Sequence, residues 1–200
     1  GEPLVRVCAE TGTDYCDLTG ETQWIRRMLS QYEEMARKSG ARIVHCCGFD
    51  SIPSDLGVHF LQQAAIRRFG QPCPRVKMRV KALRGGVSGG TVASILNIVK
   101  EAAADPQLRK ELANPYSLCP GGYAPPVRQP DVRFAEFDGD FQVWVAPFIM
   151  SAINTRIVQR TNALTGQAYG AGFRYDEAVL AGGGLKGRLA ALGMTAGLAG

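Results

Sequence analysis

The stretch HCCGFDSIPSDLG, residues 45 to 57, crowds two thiols, two carboxylates, two hydroxyls and a proline into thirteen positions. Cys47 stands close to a helix start, where a thiolate nucleophile is favoured. Such chemistry also needs a base, and of the two histidines, His45 and His59, neither is expected beside that thiol. The carboxylates Asp14, Asp17, Glu21, Asp50 and Asp55 lack the dense single-loop spacing of a calcium site. Asp50, Ser51, Ser54 and Asp55 serve equally as caps for the helix that follows. A second stretch, RGGVSGGT at 84 to 91, is a glycine-rich turn in which Ser88 and Thr91 could donate to an anion. No Lys-Ser/Thr pair follows its glycines, so it is not a phosphate-cradling Walker loop, and a tight structural turn is the other reading.

These groups need elements to hold them. Residues 3 to 11 read as the last turns of a helix closed by Gly12, with Leu4, Val5, Val7 and Cys8 on one side. DYCDLTGE follows as a short strand running into a polar loop. Between 22 and 39, Trp24, Ile25, Met28, Leu29, Tyr32, Met35 and Ala36 recur at helical spacing, and Gly40 ends the pattern. RIVHCC is a short apolar run without alternation, as expected of a strand covered on both faces in a parallel sheet. Leu56, Phe60, Leu61, Ala64 and Ala65 mark a further helix closed by Gly70. Alternating helix and strand is the grammar of a doubly wound α/β unit, of which this chain holds only part.

Loops at the carboxyl ends of such strands are where α/β sheets bind ligands, and two are present: DLTGE at 17 to 21 and GFDSIPSDLG at 48 to 57. Gly48 allows close approach of a flat ligand, and Pro53 fixes the turn. After residue 71 the pattern changes. Val76, Met78, Val80 and Ala82 alternate with Arg75, Lys77, Arg79 and Lys81, which predicts an antiparallel strand with a solvated basic face. A helix is expected at 91 to 104, a hairpin at Asp138-Gly139 and a helix from Pro147 with Ile149, Met150, Ile153, Ile157 and Val158 inward. The fold class is therefore α/β, with a parallel-sheet part over 1–70 and an α+β domain with antiparallel or mixed sheet over 71–200.

With 200 residues and 46% hydrophobic content the chain can bury an ordinary core. The net charge of +5 is not gathered into any basic run, which argues against nucleic acid. Six cysteines without CxxC pairing read as free thiols of a reducing compartment, and a cytoplasmic location follows. No signal peptide or bilayer-length apolar stretch is seen. Both ends are read as those of a piece of a longer protein.

GTDYCDLTGE, ARIVHCCGFDSIPSDLG, VSGGT and PFIMSAINTRIVQRTNAL together resemble the saccharopine dehydrogenase-like NAD(P)-dependent oxidoreductases, in the branch containing the trans-acting enoyl reductases of lipid biosynthesis. The resemblance covers essentially all 200 residues. It implies a Rossmann-like domain for NADP or NAD, whose opening glycine-rich turn has no counterpart here, and an α+β domain for substrate and dimerisation. By that resemblance Asp17, Leu18, Thr19, Gly20, Glu21, Cys47, Gly48 and Phe49 would line the nicotinamide side of a cleft. Asp50 and Ser51 are the candidate proton donors, and Ser88, Gly89, Gly90 and Thr91 would face the substrate. The implied reaction is hydride transfer to or from a double bond of a small-molecule or lipid-linked substrate by a homodimer, with peripheral membrane association as an accompanying expectation. No metal is implied. The rival reading is a non-catalytic module that keeps the fold and binds lipid or protein surfaces.

Overall fold

The computed structural model describes residues 1–82, 101–123 and 125–199. Three helices stop where glycines enter the left-handed region: α1 (Glu2–Thr11) at Gly12, α2 (Thr22–Ser39) at Gly40 and α3 (Ile52–Phe69) at Gly70, each cap amide returning to a carbonyl of the last turn. Two short strands, β1 (Tyr15–Cys16) and β2 (Ile43–Val44), pair in parallel with Tyr15 opposite Ile43.

The helix faces differ in part from their sequence patterns. On α1 the buried residues are Val5, Cys8 and Ala9, while Leu4 and Val7 face outward. That set follows the i, i+3, i+4 spacing of one helical face. On α3 the buried set is Ser54, Val58, Gln62 and Ala65, and Leu56, Phe60 and Leu61 are exposed. Gln62 can be buried because both ends of its amide are used: its Oε1 accepts from the Cys73 amide at 2.7 Å and its Nε2 donates to the Cys73 carbonyl at 2.9 Å.

A second sheet has the order β3 (Arg75–Val80), β6 (Arg174–Gly182), β5 (Val143–Pro147), β4 (Glu136–Asp138). β3 pairs with β6 in parallel from Arg75↔Arg174 to Val80↔Val179, and the other pairs are antiparallel. The sheet is mixed, and the antiparallel expectation for β3 is corrected: its partner arrives by a crossover. The chain as a whole is mixed α and β. Among the described residues, helix 91–104 can be checked only at 101–104, which are helical. A short helix α4 (Pro106–Leu112) follows, capped by the Asp105 carboxylate on the Gln107 amide.

The hairpin at Asp138 exists, but its loop spans 139–142. The Asp138 carboxylate takes the Asp140 amide into that loop, and Gln142 sits at φ 56. Pro147 belongs to β5, so the next helix, α5 (Ser151–Leu164), begins four residues later than expected.

α5 is the hub of the molecule. Val158 joins Val58, Val76, Tyr169, Phe173 and Tyr175 in one core cluster, and Ile153 joins Ile25, Cys46 and Leu118 in another. Between these apolar contacts it buries Asn154, Thr155, Arg156, Gln159 and Asn162. The last helix, α6 (Gly184–Ala199), lies on β5 and β6. Gly187 makes its close crossing possible, since a side chain there would strike the Gly182 carbonyl. No helix among the described residues is long and apolar enough to cross a membrane.

Candidate functional site

β1 and β2 end side by side, so the loops after them leave from one edge. Asp17 ties those loops together. Its Oδ1 accepts from the Thr19 amide at 3.1 Å and the Cys46 amide at 3.2 Å, while its Oδ2 meets His45 Nδ1 at 2.6 Å. Its carbonyl also takes the Cys47 amide at 2.7 Å. Burial alone would raise the Asp17 carboxyl, but the His45 bond and charge and the two amides outweigh it and hold it below the usual carboxylate range.

The vicinal cysteines part company at this point. Cys46 adopts φ 61, unusual for a residue with a side chain, and sends its thiol inward to the Thr19 carbonyl at 2.9 Å. Burial, with the Asp17 and Cys47 charges, pushes that thiol up to about 12. Cys47 is half-buried, and its thiol also lies above the ordinary value, chiefly through burial. The Cys47 thiol meets the Val44 carbonyl at 3.5 Å, and among the described residues no hydrogen bond joins it to His45, whose Nδ1 is held by Asp17, or to His59, whose Nδ1 lies against Tyr169.

Of the expected site residues, Asp17 is therefore an internal brace rather than a group presented to a ligand. Thr19 supports the turn by accepting the Glu21 amide at 3.3 Å. Leu18 and Phe49 project into solvent at 77% and 88% exposure, and Gly20 is exposed beside Leu18. Gly48 lies against Leu18 and accepts the Ser51 and Ile52 amides at 3.1 and 3.0 Å, turning the chain into α3. Asp50 is exposed, whereas Ser51 is buried, so the two candidate proton donors do not share one surface. Ser88, Gly89, Gly90 and Thr91 lie outside the described residues. Asp55 is not a simple cap: α3 sinks its carboxyl beside Thr161, and burial raises it.

Two constellations were not evident from the sequence. Beneath the Asp50 loop, Asn154 Nδ2 lies 2.9 Å from the Asp50 carbonyl, 3.1 Å from Ser54 Oγ and 3.0 Å from Glu177 Oε2. Tyr175 donates to the other Glu177 oxygen at 2.5 Å. Burial raises the Glu177 carboxyl despite these bonds, and the phenol of Tyr175 is raised as well. The signal was Tyr175 and Glu177 two apart, on one face of a strand.

The second constellation replaces the expected solvated basic face of β3. The Arg79 guanidinium is buried between Asp138, with Nε at 2.8 Å, and Asp176, at 2.6 Å. Lys77 reaches Asp138 at 2.9 Å, and Arg75 reaches Asp176 at 3.0 Å. These cations hold the Asp138 carboxyl far below its ordinary value against the opposing effect of burial. Among the described residues no three His, Cys, Asp or Glu side chains gather as a metal site.

This parallel strand pair, braced at its carboxyl edge and showing apolar tips, can be set beside known proteins. No family model matches the chain, and no solved structure does. The chain is similar to trans-acting enoyl reductases. It is 46% identical over 191 residues to a candidate trans-acting enoyl reductase of Mycobacterium tuberculosis, covering 91% of this chain and 45% of that protein. It is 37% identical over 209 residues to the trans-acting enoyl reductase of Mycobacterium bovis, covering 100% of this chain and 50% of that protein. The Mycobacterium ulcerans enzyme of the same name is 37% identical over 207 residues. The chain thus spans about half the length of the curated relatives it matches.

Proposed function

We propose that the full-length protein is an NAD(P)-dependent oxidoreductase of the trans-acting enoyl reductase type, within the saccharopine dehydrogenase-like group. Residues 1–70 would be the later part of a Rossmann-like cofactor domain, and residues 71–200 an α+β domain for substrate and dimerisation. One observation carries this reading: Asp17 fastens two loops at the carboxyl ends of parallel strands, and from them Leu18, against Gly48, and Phe49, next to Gly48 in the chain, project as exposed apolar groups. The similarity to trans-acting enoyl reductases supports it.

The residues present suit a flat ring. Gly48 has no positive φ, and a Cβ there would meet only Leu18 Cδ2 at 3.5 Å as its nearest side-chain atom, an ordinary contact. The fold itself therefore does not demand glycine at this position. Its bare backbone leaves a shelf for a planar group, with Leu18 and Phe49 excluding water from the two faces. A bound nicotinamide would supply the hydride for a double bond of a small-molecule or lipid-linked substrate. Asp50, exposed at the same edge, is the group this chain offers for moving a proton, while Ser51 is buried and shapes the turn.

The test is titration of the full-length protein with NADPH and with NADH, followed by quenching of tryptophan fluorescence. Saturable binding is expected. Gly48→Ala should weaken it at least tenfold, about 1.4 kcal/mol, with an unchanged unfolding midpoint. Absence of saturable binding by the parent protein would overturn the reading, and the non-catalytic module would take its place.

A further inference from the structure

A cavity of about 230 Å³ lies between α1, α2, β2 and the end of α5, and neither Leu18 nor Phe49 lines it. Val5, Met28, Leu29 and Ile43 make it largely apolar, and its polar lining holds Tyr32, Glu33 and Arg37 beside His45 and Arg160. The volume exceeds the roughly 150 Å³ of an engineered apolar cavity that takes benzene, so it suits a ligand of somewhat more than six heavy atoms. Larger drug-like ligands need more room.

Of these groups Arg160 is the one prepared for an acceptor. The His45 side chain is 5% exposed and its Nδ1 is held by Asp17 at 2.6 Å, which fixes the ring; its Nε2 has no hydrogen-bond partner among the described residues. Arg160 donates one NH1 bond to the Leu118 carbonyl at 2.5 Å and has no carboxylate within ion-pair distance among the described residues. Glu33, on the same lining, is taken by Arg37 at 3.3 Å. A half-buried guanidinium with unused donors loses hydration, and burial pushes Arg160 below its ordinary value although the Glu33 charge acts the other way. Arginine's planar fork matches a carboxylate.

We infer that this cavity binds a small amphiphilic carboxylic acid, its carboxylate against Arg160 and its short hydrocarbon tail among Val5, Met28, Leu29 and Ile43. The site is separate from the proposed cofactor shelf and does not depend on that reading.

The probe is sodium hexanoate, with hexan-1-ol as the neutral control, titrated into the full-length protein by calorimetry. Hexanoate should bind once per chain and at least tenfold more tightly than hexanol. Arg160→Gln should lose that preference. Because Arg160 also holds Leu118, a second variant leaves the polar groups alone: Ala41→Leu, on the cavity wall, should weaken hexanoate at least tenfold by filling the space. The inference is overturned if hexanoate does not saturate the parent protein, if hexanol binds as well, or if Ala41→Leu binds hexanoate unchanged.

Discussion

Replacing Asp17 by alanine removes the acceptor shared by the amides of Thr19 and Cys46 and by the His45 ring. Hydrogen bonds to a charged group are worth about 1.5–3 kcal/mol each. The Thr19 amide lies in an open loop where water can replace the carboxylate, so it adds little. Cys46 and the His45 side chain are both about 95% buried, and their two bonds at the lower bound sum to roughly 3 kcal/mol. With a urea dependence of about 2 kcal/mol per molar, the unfolding midpoint should fall by about 1.5 M. Asp17→Asn keeps an oxygen for the two amides and can offer an N–H to the imidazole, so it should lose less than half as much. The pH dependence follows from the depressed carboxyl. The stability Asp17 contributes is present above its ordinary value near 4 and is lost as the pH falls through the lower folded value. Urea midpoints of the parent and both variants between pH 3 and 7 test this. An Asp17→Ala midpoint within 0.3 M of the parent at pH 7 would refute the brace, as would a difference that does not shrink in acid.

Arg79→Ala should cost roughly 3–5 kcal/mol, because it leaves Asp138 and Asp176 buried without their shared cation; urea unfolding checks this, and a loss under 1 kcal/mol contradicts it. Glu177 has the opposite sign of pH dependence from Asp17. A carboxyl raised by burial makes the folded state hold its proton longer, so stability falls as pH rises from its ordinary value through the folded value. Glu177→Gln should remove that decline from a urea series between pH 4.5 and 8, and an unchanged slope would count against it. Leu18→Ala and Phe49→Ala should leave the unfolding free energy within about 0.5 kcal/mol, since both side chains stand in solvent. Each should nonetheless weaken NADPH severalfold in the fluorescence titration.

The parts legible in the sequence are those governed by local rules. α2 was expected over 22–39 and occupies Thr22–Ser39, because its apolar spacing, its polar face and Gly40 all agree. β1 and β2 pair in parallel as the apolar run without alternation led one to expect, but the strand is not covered on both faces, since Val44 is 53% exposed. β6 was not legible: Asp176 and Glu177 sit side by side in the middle of it, and adjacent acids do not read as a central strand. Their burial depends on Arg79 from β3 for one and on Tyr175, Ser54 and Asn154 for the other. Apart from Tyr175, two residues along the same strand, those partners come from three other elements, and no local window contains them.

The same limit explains which site residues were legible. The loops 17–21 and 48–57 were found because strand order alone places them at one edge. What each side chain does there depends on partners 28 or 29 residues away, as Asp17 shows with His45 and Cys46. A carboxylate at a strand end has the same sequence signature whether it faces a ligand or holds the next loop. The φ of 61 at Cys46 decides between them in this fold: it turns the Cys46 amide toward Asp17 and the thiol toward Thr19, drawing the carboxylate inward. The groups left outside are Leu18, Gly48, Phe49 and Asp50, three of them without charge. A shelf of that composition discriminates by shape and exclusion of water more than by ion pairing. Gly48→Ala, which changes shape and nothing else, is therefore a sharper probe of it than any change of charge.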